Sequence, residues 1–94
     1  MNTSFLKNRV QNSHLPQYIK NWFNEYINIV SFEQKISDLE GNTFEITNKI
    51  AEDCEYVICY NSFNKNFYFV CVDESKNLKI HGISNNIIGI LTYR

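Results

Sequence analysis

Between Pro16 and Val30 the apolar residues Ile19, Trp22, Phe23, Tyr26, Ile27 and Val30 fall at i, i+3, i+4, i+7, i+8 and i+11. That spacing is one face of an α-helix. Lys20, Asn21, Asn24, Glu25 and Asn28 occupy the opposite face. Pro16 suits the first helical turn, where its missing N–H would have no partner anyway. The pattern predicts an amphipathic helix over about residues 16–30.

Beyond Val30 the period changes from 3.6 to 2. Phe44, Glu45, Ile46 and Thr47 alternate apolar and polar, the signature of a strand, and Glu40-Gly41-Asn42-Thr43 before them is turn chemistry. The segment 32–40 reads two ways. Phe32, Ile36 and Leu39 have helical spacing with Ser31 as a cap, whereas Lys35–Glu40 forms the first arm of a hairpin closed at Gly41-Asn42. The hairpin is the favoured reading.

The strongest strand signals are Tyr56–Tyr60 and Phe67–Val72, both rich in β-branched and aromatic residues. A turn centred on Asn64-Lys65 would set Tyr60 opposite Phe69 and Ile58 opposite Cys71. One face of this hairpin then carries Tyr56, Ile58, Tyr60, Phe67, Phe69 and Cys71. The other carries Val57, Cys59, Tyr68, Val70 and Val72. An antiparallel sheet ordinarily keeps one face wet. Two apolar faces predict central strands covered on both sides, by the chain itself or by a partner. After a turn at Glu74-Ser75-Lys76-Asn77 come a shorter strand with Leu78, Ile80 and Ile83, and a last strand through Ile87, Ile88, Ile90 and Leu91. Gly89 in that last run marks a bulge or a close backbone contact. The expected fold class is α+β, with the helix packed on an antiparallel meander of about five or six strands. Residues 1–94 are read as a single domain, with 1–12 a loosely docked arm or short helix.

Composition narrows this picture. Ninety-four residues, 44% hydrophobic and 15% aromatic, exclude a disordered chain and support one packed core. No apolar run reaches the length of a signal peptide or a membrane span. Three cysteines, an odd number, read most simply as free thiols in a cytoplasmic protein.

The candidate chemistries are weak. Cys54, Cys59, Cys71 and His81 are zinc-type ligands, but their C-x4-C-x11-C-x9-H spacing lacks a C-x2-C knuckle, and Cys59 and Cys71 are read on opposite faces. No metal or other cofactor is expected. His81 with Cys71 or Ser84 is the best available nucleophile and base pair, and no motif frames it. Gly41, Gly82 and Gly89 are too far apart for a phosphate cradle. Tyr56, Tyr60, Phe67 and Phe69 resemble a base-stacking platform, but a net charge of −1 argues against direct nucleic-acid binding.

Charge has some shape along the chain. Asp38, Glu40, Glu45, Glu52, Asp53 and Glu55 crowd into residues 36–55 against Lys49 alone, while the flanking segments are net positive. An acidic patch steers basic partners. The expectation is therefore a non-enzymatic, protein-binding inhibitor of the immunity or antitoxin type. These six acids would occlude the active site of a basic toxin such as a nuclease domain. Alternatives are an anti-CRISPR-like phage inhibitor of a nucleic-acid-guided defence system, a small enzyme or toxin using His81, and a homo-oligomer that hides one face of the central hairpin.

Overall fold

The computed structural model describes residues 2–29 and 33–93. Two helices lead, α1 (Thr3–Gln11) and α2 (Gln17–Tyr26). Five strands follow: β1 (Glu33–Ser37), β2 (Phe44–Glu52), β3 (Tyr56–Asn61), β4 (Asn66–Val72) and β5 (Leu78–Ser84). A short helix α3 (Ile87–Leu91) ends the chain. The strands form an antiparallel meander that closes into a barrel when β1 meets β5 in parallel. Among the described residues no helix is long and apolar enough to cross a membrane.

The two faces of β3 and β4 explain the architecture. Ile58, Phe67 and Phe69 face outward from the barrel into a core shared with all three helices, where Leu6, Val10, Ile19, Trp22, Phe23, Ile87, Ile90 and Leu91 are buried. Val57, Cys59, Tyr68 and Val70 face the barrel interior and pack with Ile36, Leu78 and Ile80. Both apolar faces are covered within the chain, as the sequence pattern requires. Val72, read onto the inner face, lies at the strand end and is largely exposed.

The hairpin register differs from the expected one. Tyr60 pairs with Phe67 and Ile58 with Phe69, because the turn is centred two residues' worth of register earlier, on Ser62–Lys65. Asn61 Oδ1 accepts from the Phe63 backbone N–H at 2.9 Å, and Lys65 takes φ = 65° to close the loop. A slip of two residues leaves every side chain on its face, so the face assignment survives the wrong register.

Local chemistry sets the element ends. Helix α2 is shorter than expected and stops at Tyr26, because Ile27 turns extended and bridges Ala51 while the Asn28 N–H donates to the Ile50 carbonyl at 2.8 Å. A bulge at Ile50 lets Ile50 and Ala51 both turn into the helical core. Val30, Ser31 and Phe32 lie outside the described residues. The segment 33–37 is the first arm of a hairpin, and Gly41 (φ = 77°) closes it.

Of the two readings of residues 1–12, the structure shows the short helix: it is α1, capped by Asn2 accepting from the Phe5 N–H, with Leu6 1% and Val10 2% exposed. One expectation is corrected: the final strand is instead the helix α3. Asn86 Oδ1 accepts from the Ile88 N–H and so starts a helical turn, and Ile87, Ile90 and Leu91 present i, i+3, i+4 spacing to the core. Gly89 marks a close approach, as read, but within a helix: a Cβ there would stand 2.5 Å from Ser84 Oγ.

The closure of the barrel is slight. Ser37 opposite Lys79 is the one residue pair joining β1 to β5 among the described residues. The Lys79 ammonium lies across Gly41, 3.3 Å from where a Cβ would be.

Truncating Leu6 to Ala removes a fully buried contact and leaves a cavity between α1 and the sheet. The expected loss is about 2–4 kcal/mol in urea-monitored unfolding. A loss under about 0.5 kcal/mol would mean that α1 is not part of the cooperative core.

Candidate protein-binding surface

The six acids fall in three places on and around β2, a strand of nine residues that spans roughly 26 Å at about 3.3 Å per residue. Asp38 and Glu40 sit at its start, in the β1–β2 turn. Asp38 accepts from the Asn42 N–H at 2.8 Å and from the Thr43 hydroxyl at 2.9 Å, which fastens that turn. Glu40 is exposed.

Glu45 lies within the strand and faces inward. Its Oε2 accepts from Asn61 Nδ2 (2.6 Å), Asn64 Nδ2 (3.2 Å) and the Tyr68 hydroxyl (2.7 Å). It ties the overhanging end of β2 to the β3–β4 turn. Burial, and then the hydrogen bond to Glu45, hold the Tyr68 hydroxyl above its ordinary range.

Glu52, Asp53 and Glu55 lie at the far end, around the β2–β3 turn. Glu52 pairs with Lys49 at 2.7 Å. Asp53 accepts from Trp22 Nε1 at 2.7 Å and from the N–H groups of Glu55 and Tyr56, so it joins α2 to the turn. Glu55 is exposed. The structure therefore divides the run of acids into two tips and an internal brace. Neighbours in sequence are here separated by the length of a strand.

A feature that the alternation concealed emerges in the same hairpin. The alternation read over Phe44–Thr47 left open which face meets water, and the polar face is the one turned in: Thr47 is buried, whereas Phe44 is 55% and Ile46 47% exposed. Leu39 in the adjoining turn is 59% exposed. Lys35, across the strand from Ile46, sets its ammonium 4.2 Å from the centre of the Phe44 ring. Period-2 patterning identifies two faces but not which of them meets water, and the clue was Glu45, whose carboxylate had three inward donors within reach.

The other candidates are placed as follows. Tyr56 packs at a tilt against Phe69 (5.1 Å between centroids) and Tyr60 against Phe67 (4.8 Å), all on the face that the helices cover. Cys59 lies in the barrel interior and Cys71 on the helical face. No group of three or more His, Cys, Asp or Glu gathers among the described residues. His81 is the extra residue of a bulge in β5 and is exposed. Ser84 is engaged by the turn before α3, where its hydroxyl accepts from the Asn86 N–H at 3.1 Å.

Two outcomes test this geometry. Glu45→Ala strands three donors and is expected to cost about 2–3 kcal/mol, while Tyr68→Phe removes one donor and costs about 1 kcal/mol. Equal, negligible losses in chemical denaturation would show that the brace carries no stability. For the thiols, burial pushes Cys59 up to about 11 and raises Cys71 as well. A raised pKa means less thiolate at any pH below it. At pH 8 a disulfide reagent is expected to titrate exposed Cys54 quickly, Cys71 slowly and Cys59 only on unfolding, as read by mass spectrometry.

Compared with protein-family models, with curated proteins and with solved structures, the chain matches none.

Proposed function

We propose that this chain is a non-enzymatic protein-binding domain of the immunity or antitoxin type, which works by covering its partner's active site with the outer face and tip of the β1–β2 hairpin. One observation carries the reading: Phe44 and Ile46 of β2, and Leu39 in the adjoining turn, are turned to water, while Glu45 and Thr47 of the same strand are turned in. Single exposed apolar residues are ordinary, but a set of them on one projecting element marks an interaction surface. The charge of Asp38 and Glu40 at the same tip favours a partner whose apolar contact is ringed by cations, as in a basic nuclease domain. Occlusion needs shape and charge complementarity and no chemistry. Glu52, Asp53 and Glu55 stand at the other end of β2 and fall outside this contact.

The test is co-expression with the product of the neighbouring gene, followed by affinity measurement on the purified pair. Phe44→Ser with Ile46→Ser is expected to weaken the complex more than about tenfold, equivalent to at least about 1.4 kcal/mol. Asp38→Lys with Glu40→Lys is expected to slow association, and Glu52→Lys with Glu55→Lys to leave affinity within about twofold. Absence of a complex, or a complex indifferent to the hairpin variants, overturns the reading.

A further inference from the structure

A second surface lies on the helical side, away from the hairpin tip. The first 24 residues and the last 20 contain no Asp or Glu, and the fold brings these two acid-free ends together by packing α1 and α3 into one core. Between them opens a hollow of about 840 Å³ whose walls include Phe5, Arg9, His14, Leu15, Pro16 and Ile88. A neighbouring hollow of about 460 Å³, lined by Tyr60, Lys65 and Phe67 among others, shares Phe5, Arg9 and Asn86 with the first. The two hollows meet at these shared walls and together make one trough, and no acidic side chain lines either part.

The first hollow is mainly apolar and the second about half polar. Phe5, a wall of both, is 59% exposed although it is one of the larger apolar residues in the chain. The Arg9 guanidinium, beside it, makes no ion pair among the described residues. Arg9 presents a planar fork suited to carboxylates, and Lys65 is held at the loop tip by its left-handed backbone. The trough thus mixes apolar walls such as Phe5, Leu15 and Ile88 with neutral polar ones such as Asn8 and Asn86, and its charged side chains, Arg9 and Lys65, are cationic.

We infer that this trough is a docking site for an extended or helical peptide segment of a partner protein that carries large apolar side chains interspersed with Asp and Glu. The apolar side chains seat in the two hollows on either side of Phe5, and the carboxylates reach Arg9 and Lys65. Charge complementarity selects an acidic segment over a basic one. This site is independent of the hairpin and does not rest on the reading given above for it.

The experiment uses the whole chain and two labelled peptides of about twelve residues, with Leu and Phe at the same positions and either Glu or Lys at the polar ones. Fluorescence anisotropy is expected to show saturable binding of the Glu peptide and at least roughly tenfold weaker binding of the Lys peptide. Arg9→Gln with Lys65→Gln, and separately Phe5→Ser, are expected to weaken the Glu peptide by about tenfold or more, with circular dichroism unchanged. Phe44→Ser with Ile46→Ser is expected to leave it unaltered, which separates this site from the hairpin. Equal binding of both peptides, no saturation by about 1 mM, or indifference to the Arg9 and Lys65 changes overturns the inference. So does cosedimentation with phosphatidylglycerol vesicles through the same residues without peptide binding, which would make the trough a membrane-facing surface.

Discussion

Strands β3 and β4 carry large apolar side chains on both faces, and a meander of so few strands has no second sheet to lay over either one. The chain meets that constraint in two ways at once. Rolling the sheet into a barrel buries Val57, Cys59, Tyr68 and Val70 against Ile36. Placing both termini as helices on the outside buries Ile58, Phe67 and Phe69 against Leu6, Phe23 and Leu91. Each cover is needed because burial of apolar area is the main favourable contribution at this size. The remaining features, including the bulge at Ile50 and the extended exit from α2, follow from joining a helical layer to a curved sheet.

Polar residues inside this arrangement act as braces. Glu45 collects three donors where β2 overhangs the end of β3, and Asp53 holds Trp22 of α2 against the β2–β3 turn. Both are carboxylates whose partners are satisfied, so they specify geometry as well as adding stability. Turning Glu45 inward has the further effect of turning Phe44 and Ile46 outward, since neighbouring residues of a strand face opposite ways. An internal requirement of the barrel and the exposed apolar face of the hairpin are two sides of one backbone.

The sequence disclosed the elements better than their orientation. Helix α2 and the two faces of β3 and β4 were legible because each has many residues repeating one period. The register of that hairpin was not, since a shift of two residues preserves every facing and only the turn around Asn61 and Lys65 decides it. The run Ile87–Leu91 satisfies strand propensity and helical spacing together, and the Asn86 cap settles it as a helix. The six acids looked like one patch because five of them lie in turns or strand ends close in sequence, yet β2 carries Glu40 and Glu55 to opposite ends. The trough between α1 and α3 was invisible for the complementary reason: it joins the two ends of the chain, and only their shared lack of Asp and Glu hinted at it.

The barrel's slight closure has a mechanical consequence. Ser37 and Lys79 form a seam, and the seam adjoins the hairpin that projects Leu39 and Phe44. At the tip of that hairpin a pull meets the shortest ladder in the sheet, while the helical layer grips β2 only at its far end, around Ile50, Ala51 and Asp53. Local opening follows the least-supported contacts. The molecule therefore has a compliant handle on a stiff body, and the energy of gripping the handle is spent at a zipper's last tooth before it reaches the fold.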